Sequence, residues 1–149
     1  MSSGKIGHNA SMDKLIHLDH IAIAVKSIKE ARKLYEDIGF TFEKHEEVVE
    51  SQKVKTAFAK VEGKAKIELL EATDSSSTIA KFINSKGEGI HHLSFRVDDI
   101  VKKQKELSDK GYIFIYTQAQ PGADECMVNF IHPKSTGGIL IELSQKGLA

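Results

Sequence analysis

The sequence predicts an α+β fold in which two tandem βαβββ modules form one curled mixed sheet around a central cavity. The chain repeats itself: His20-Ile-Ala-Ile-Ala-Val25 is answered seventy-two residues later by His92-Leu-Ser-Phe-Arg-Val97, and Ile28, Gly39, Phe40 and Phe42 are answered at the same spacing by Ile100, Gly111, Tyr112 and Phe114. Near the end of each copy, Lys66-Ile-Glu68-Leu69 is answered by Leu140-Ile-Glu142-Leu143 at a spacing of seventy-four, an insertion of two residues. Within each copy the apolar period changes from strand to helix and back to strand.

The elements follow in order. Residues Met1 to about Lys14 have no apolar period and read as a disordered tail or tag, and His8 within it and His17 at its edge are given no role. Leu15–Val25 alternates as a strand, with Leu18, His20, Ala22 and Ala24 on one face and Ile21, Ile23 and Val25 on the other. Ser27 followed by Glu30 is a capping box, and Ile28, Ala31, Leu34 and Tyr35 continue at helical spacing until Gly39. Strands are expected at Thr41–Glu47, Lys53–Val61 and Lys66–Glu71, with Gly63 in the turn between the last two.

The second copy predicts a strand at His92–Val97, a helix capped by Asp99 and ended by Gly111, and strands at Tyr112–Tyr116, Glu125–Ile131 and Gly138–Ser144. A single domain over residues 15–149 is expected, with module 1 at about 15–73, a connector over 74–89 that carries a short helix, and module 2 at about 90–145.

Composition narrows the function. Lys plus Arg equals Asp plus Glu, at 21 each, with no long run of one sign. This argues against nucleic acid or an anionic membrane as partner. No apolar run approaches the ~20 residues that cross a bilayer. The single cysteine, Cys126, can form no internal disulfide, which fits a cytoplasmic protein.

Strand alternation then directs the repeated histidines and glutamates. His20 shares its face with small Ala22 and Ala24, and His92 shares its face with Ser94 and Arg96, while the opposite apolar faces suit a covering helix. Glu68 and Glu142 each lie between large apolar neighbours, which is unusual unless that face lines a polar cavity or a metal. A lone histidine or glutamate in a strand is usually structural or solvated. Four of them related by one repeat point instead to a shared divalent metal site, and mixed imidazole and carboxylate donors suit Co, Mn, Ni, Fe or Zn. In the His91-His92 pair the repeat selects His92, so His91 is expected to face the other way.

Several stretches carry a family resemblance: Asp19-His-Ile-Ala-Ile-Ala-Val25, Ile67-Glu-Leu-Leu-Glu-Ala72, Ser77-Thr-Ile-Ala-Lys-Phe82, Gly89-Ile-His-His-Leu93 and His132-Pro-Lys-Ser-Thr-Gly-Gly-Ile-Leu-Ile-Glu-Leu143. From about Leu15 to Gln145 the chain resembles the vicinal oxygen chelate (glyoxalase/bleomycin resistance/dioxygenase) superfamily and, within it, the methylmalonyl-CoA epimerase family. The resemblance implies His20, Glu68, His92 and Glu142 as metal ligands, with Co favoured, and an acyl-CoA thioester as substrate. It also implies interconversion of the 2R and 2S epimers through a metal-stabilised enolate, and a homodimer. Some epimerases have Gln where this chain has Glu68, a change that keeps an oxygen donor.

Glu142 is the candidate catalytic acid/base, and Gln52, Lys134 and Ser135 are candidate substrate contacts. The family's second base aligns with Thr56, which is no base at neutral pH. Glu50, Glu47, a metal-bound water, or another register of that strand are the substitutes. His132 is read as structural, Tyr35, Tyr112 and Phe130 as core and Cys126 as a bystander thiol, while Arg96, on the His92 face, is either near the cavity or a paired structural arginine. The alternatives are a glyoxalase I type lyase acting on a glutathione hemithioacetal, and a metal-free binding protein of the same fold.

Overall fold

The computed structural model describes residues 17–60 and 65–147. The expected tail, the start of the first strand and the turn at Gly63 lie outside them. Among the described residues nine strands form one mixed sheet: β1 (His17–Ala24), β2 (Thr41–Phe42), β3 (Glu47–Val49), β4 (Val54–Lys60), β5 (Lys66–Ala72), β6 (Gly89–Arg96), β7 (Gln120–Pro121), β8 (Cys126–Ile131) and β9 (Ile141–Lys146). Three α-helices, α1 (Ile28–Ile38), α2 (Thr78–Lys86) and α3 (Ile100–Asp109), accompany it. The strand order is β2-β4-β5-β1-β6-β9-β8-β7, with β3 added on β4.

The duplication is visible in the pairing. β1 runs parallel to β5 as β6 runs parallel to β9, β4–β5 and β8–β9 are antiparallel, and β1–β6 joins the two halves antiparallel. It extends to the helix ends. The side chains of Ser27 and Asp99 accept from the backbone N–H of Glu30 and Lys102, satisfying donors that a helix start leaves open. The N–H groups of Ile28 and Ile100 go to the side-chain oxygens of Glu71 and Gln145 on the neighbouring strands.

Each apolar strand face is covered as its alternation requires. Ile28, Ile23, Val25, Ala57, Ala59 and Leu69 pack with Ala31 and Tyr35 under α1, and Ile100, Val97, Leu143, Phe95 and Leu107 pack under α3. The other face of β1 uses its small residues to admit α2: Ala22 and Ala24 meet Val54, Leu70 and Ile79.

Three expectations are corrected. Thr41–Glu47 is two short strands, because the chain leaves the ladder after Phe42 and Glu43 and Glu46 turn to lysine and arginine partners. Tyr112–Tyr116 forms only a single bridge, between Phe114 and Ile131, and the short strand beside β8 is Gln120–Pro121. The buried side chain of Asn129 explains this: it accepts from Tyr116 N and donates to Tyr116 O, taking the two groups a ladder would use. Tyr112, read as core, is 41% exposed.

Candidate metal centre

β1, β5, β6 and β9 are contiguous in the sheet, and each aims one polar side chain at the same point. His20, Glu68, His92 and Glu142 are all buried, at 4–6% exposure. Donor atoms of His20, His92 and Glu142 lie within 4.8 Å of one another. His20 Nε2 is 3.1 Å from Glu68 Oε1 and 3.4 Å from Glu142 Oε1, and His92 Nε2 is 3.6 Å from Glu142 Oε1. None of these contacts has hydrogen-bond geometry: His20 Nε2, His92 Nε2 and Glu142 Oε1 are buried without a partner. Three converging orphans of this kind are costly unless a cation satisfies them together. The donor set fits a divalent metal, with Glu68 at its edge touching His20.

The electrostatics agree. Burial disfavours a charged His20, yet the Glu68 charge, the hydrogen bond to Asp19 and the nearby Glu142 outweigh it and push its pKa up to about 12. Burial likewise opposes ionisation of Glu142, but the His92 and His20 rings hold its carboxyl well below the usual carboxylate range. The negative surroundings that hold a proton on His20 would also attract a cation, which must displace that proton to bind.

A short polar chain stands behind His20. Its Nδ1–H donates to Asp19 Oδ2 at 2.7 Å, and Arg96 Nη2 donates to Asp19 Oδ1 at 2.7 Å. Arg96 Nε also reaches Ser144 Oγ at 3.4 Å. Behind His92 stands His91, Nδ1 to Nδ1 at 2.9 Å. His91 therefore does not face away. Ala22 pairs with His92 and Ile23 with Ile90, so His91 is the extra residue of a β-bulge, which breaks strict alternation. Burial, and then the charge of His92, lower the His91 pKa to about 4. The aromatic rings of Phe58 and Phe130 close on the two site histidines edge to face.

The site opens into a cavity of about 300 Å³. Gln52 and Thr56 line it, as do Ser77, Tyr116, Cys126 and Leu140. Thr56 is 1% exposed. Lys134 and Ser135 are outside the wall: Lys134 is exposed, and Ser135 spends its hydroxyl accepting from Ile113 N at 3.0 Å. Glu47 and Glu50 are also exposed and outside it, and Glu47 Oε1 accepts from Asp124 N across the mouth. His132 Nδ1 accepts from Lys134 N in its own turn. Burial pushes the Cys126 thiol up, which suits a bystander. Alternation could not reveal Asp19, because it too is a bulge residue. The only signal was its equivalence to His91.

Residues 19–130 match the Glyoxalase/Bleomycin resistance protein/Dioxygenase superfamily. The chain is 40% identical over 129 residues to the uncharacterized protein YqjC of Bacillus subtilis (strain 168), covering 86% of this chain and 91% of that one. The crystal structure of methylmalonyl-CoA epimerase from Mycobacterium tuberculosis superposes with a TM-score of 0.83 at 39% identity, covering 87% of each chain. A Glu-to-Gln variant of Streptomyces coelicolor methylmalonyl-CoA epimerase, in complex with 2-nitronate-propionyl-CoA, superposes with a TM-score of 0.82 at 32% identity, covering 87% of this chain and 96% of that one. With the duplicated sheet, the converging His and Glu donors and these likenesses in hand, the chain belongs to the Glyoxalase/Bleomycin resistance protein/Dioxygenase superfamily, among the relatives of the methylmalonyl-CoA epimerases.

Proposed function

We propose that this protein epimerises methylmalonyl-CoA at the carbon between its thioester and its carboxylate. The observation that carries the reading is the convergence of three buried, unpartnered donors, His20 Nε2, His92 Nε2 and Glu142 Oε1, at the head of a cavity in a relative of methylmalonyl-CoA epimerases. A cavity of about 300 Å³ admits the acyl end of such a thioester and leaves the bulk of the CoA outside.

His20, His92 and Glu142, with Glu68 beside them, would hold one divalent cation. Bound there, it supplies a Lewis acid that stabilises negative charge developing on the substrate oxygens. Co(II) is the favoured ion among Co, Mn, Ni, Fe and Zn. The α-proton is acidic because two carbonyl groups flank its carbon. Glu142 stays ionised among its histidine neighbours and takes the proton from one face through the oxygen it does not give to the cation. A water or a side chain of the cavity lining returns a proton to the other face, which inverts the carbon. Phe58 and Phe130 wall this end of the cavity and limit water around the reacting carbon. Gln52 and Thr56 offer an amide and a hydroxyl to the acyl group from the cavity lining. Lys134 and Ser135, outside that wall, are left the role of contacting the protruding CoA.

The test is proton exchange on methylmalonyl-CoA in D2O, followed by NMR with protein stripped of metal and then reloaded with Co(II). Metal-dependent deuterium incorporation at the α-carbon, with interconversion of the epimers, is expected. Reloaded protein with verified Co(II) and no exchange would sink the reading and turn attention to a glutathione hemithioacetal. The reading also takes the enzyme as a cytoplasmic homodimer folded as one domain over residues 15–149, and sedimentation velocity at micromolar concentration checks the dimer.

A further inference from the structure

Strict alternation would turn the residues just before His20 and His92 away from the site, yet both face it. Leu18 pairs with Phe95 and His20 with Ser94, which leaves Asp19 as the extra residue of one bulge, as His91 is of the other. Asp19 and His91 are equivalent in the repeat, and each contacts the Nδ1 of the histidine that follows it. The contacts differ in chemistry. Asp19 is a buried carboxylate gripped by Arg96, which reaches across from β6, whereas His91 is a second imidazole. The repeat places Ala24 where a counterpart of Arg96 would stand.

We infer that Asp19, held by Arg96, is the positioning residue of the metal centre: it fixes the His20 ring with Nε2 aimed at His92 and Glu142 and makes His20 the stronger donor of the two histidines. A carboxylate on Nδ1–H sets both the tautomer and the orientation of a ligating imidazole and raises its basicity. The Arg96 bond is what keeps the carboxylate from rotating away, since Asp19 has only its two oxygens and each is committed to one partner. This inference rests on the metal reading given above and adds an asymmetry to it: the two histidine ligands are not equivalent, although the repeat makes their positions so.

The experiment is Co(II) titration of the metal-stripped protein by calorimetry, together with the visible absorption of the bound ion. Wild type is compared with Asp19→Asn, Arg96→Met and His91→Phe, and thermal melts of the metal-free forms report folding. Asp19→Asn is expected to weaken Co(II) binding roughly 10–100-fold and to shift the ligand-field bands, because the amide loses the charge and its one oxygen can accept from only one of the two donors, His20 or Arg96. Arg96→Met weakens binding in the same direction with Asp19 intact, which keeps the test alive should Asp19→Asn fold poorly. His91→Phe weakens it less than either. Wild-type affinity and an unchanged spectrum in both Asp19→Asn and Arg96→Met would overturn the positioning role while leaving the metal site standing. A wild-type protein that binds no Co(II) would overturn the metal reading itself, and this inference with it.

Discussion

Asp19 and His91 occupy equivalent points of the duplicated chain, each is the extra residue of a β-bulge, and each meets the Nδ1 of the site histidine that follows it. Bulges re-aim side chains that the pleat would otherwise turn away. Here two of them turn a flat pair of antiparallel strands into the back wall of a polar site. The consequences can be measured at the site, in its surroundings and in the supporting core.

Metal should stabilise the fold. Three buried polar atoms gain a partner on loading, and an ion at a hundred times its dissociation constant adds about 2.7 kcal/mol. For a chain of this length that corresponds to a rise in Tm of roughly 5–10 °C. Thermal melts with EDTA and then with excess Co(II) check it. Coincident melts would count against the site.

Removing a donor should remove both metal and turnover. His92→Ala and Glu142→Gln are each expected to lower epimerisation by about 100-fold or more and to purify with less than stoichiometric metal. Wild-type metal content together with wild-type turnover in either variant would mean that the site is elsewhere.

The cavity lining separates two residues that the sequence leaves as alternatives. Thr56 lines the cavity, whereas the side chain of Glu50 is exposed and outside it. Steady-state kinetics should therefore show Thr56→Ala slowed by roughly 10-fold, about the loss of one polar contact, with Glu50→Gln unchanged. A large loss in Glu50→Gln would assign the second acid/base to Glu50 through movement of its loop.

Acid should loosen the mouth of the cavity through Asp124. Burial opposes its ionisation, but Lys146 Nζ at 2.9 Å and Lys66 Nζ at 3.3 Å prevail, so its pKa is lowered from 3.8. A lowered carboxylate stabilises the fold fully above its unfolded value and loses that contribution as pH falls through the folded value. Half-exposed pairs of this kind contribute about 0.2–1 kcal/mol each. Asp124→Asn should lose that contribution at pH 7 and flatten the fall in urea stability below pH 4 by the same amount. Asn tolerates the left-handed backbone there, where φ is +57°. Identical acid limbs would dismiss the pairs as contributors.

The duplicated core should give duplicated losses. Ile28 and Ile100 are equivalent, begin α1 and α3, and are fully buried. Ile28→Ala and Ile100→Ala should each cost about 2–5 kcal/mol in chemical denaturation. A small loss at one of them would show that its half of the sheet relaxes around the cavity.

The alternation of the main strands, both capped helices and the convergence of His20, His92 and Glu142 were legible because they depend on near neighbours repeated twice. Single-residue periodicity tells which face a side chain takes as long as the ladder is unbroken, and the repeat supplies the second half of the argument. His91 escaped that logic because a bulge is a property of two paired strands, not of one. The strand expected at Tyr112–Tyr116 failed for a related reason: the N–H and C=O of Tyr116 are taken by Asn129, thirteen residues away.

By itself, then, the sequence determined the fold class, the repeat and the identity of the converging donors, all written in local periods and in matching positions. Tertiary structure alone decided that Asp19 meets Arg96 across seventy-seven residues, that Gln52 and Thr56 line the cavity, and that Lys134 and Ser135 stand outside it. Those outcomes depend on strand register and on partners far away in the chain. A carboxylate or hydroxyl can satisfy itself with several partners, and only the packed sheet selects one.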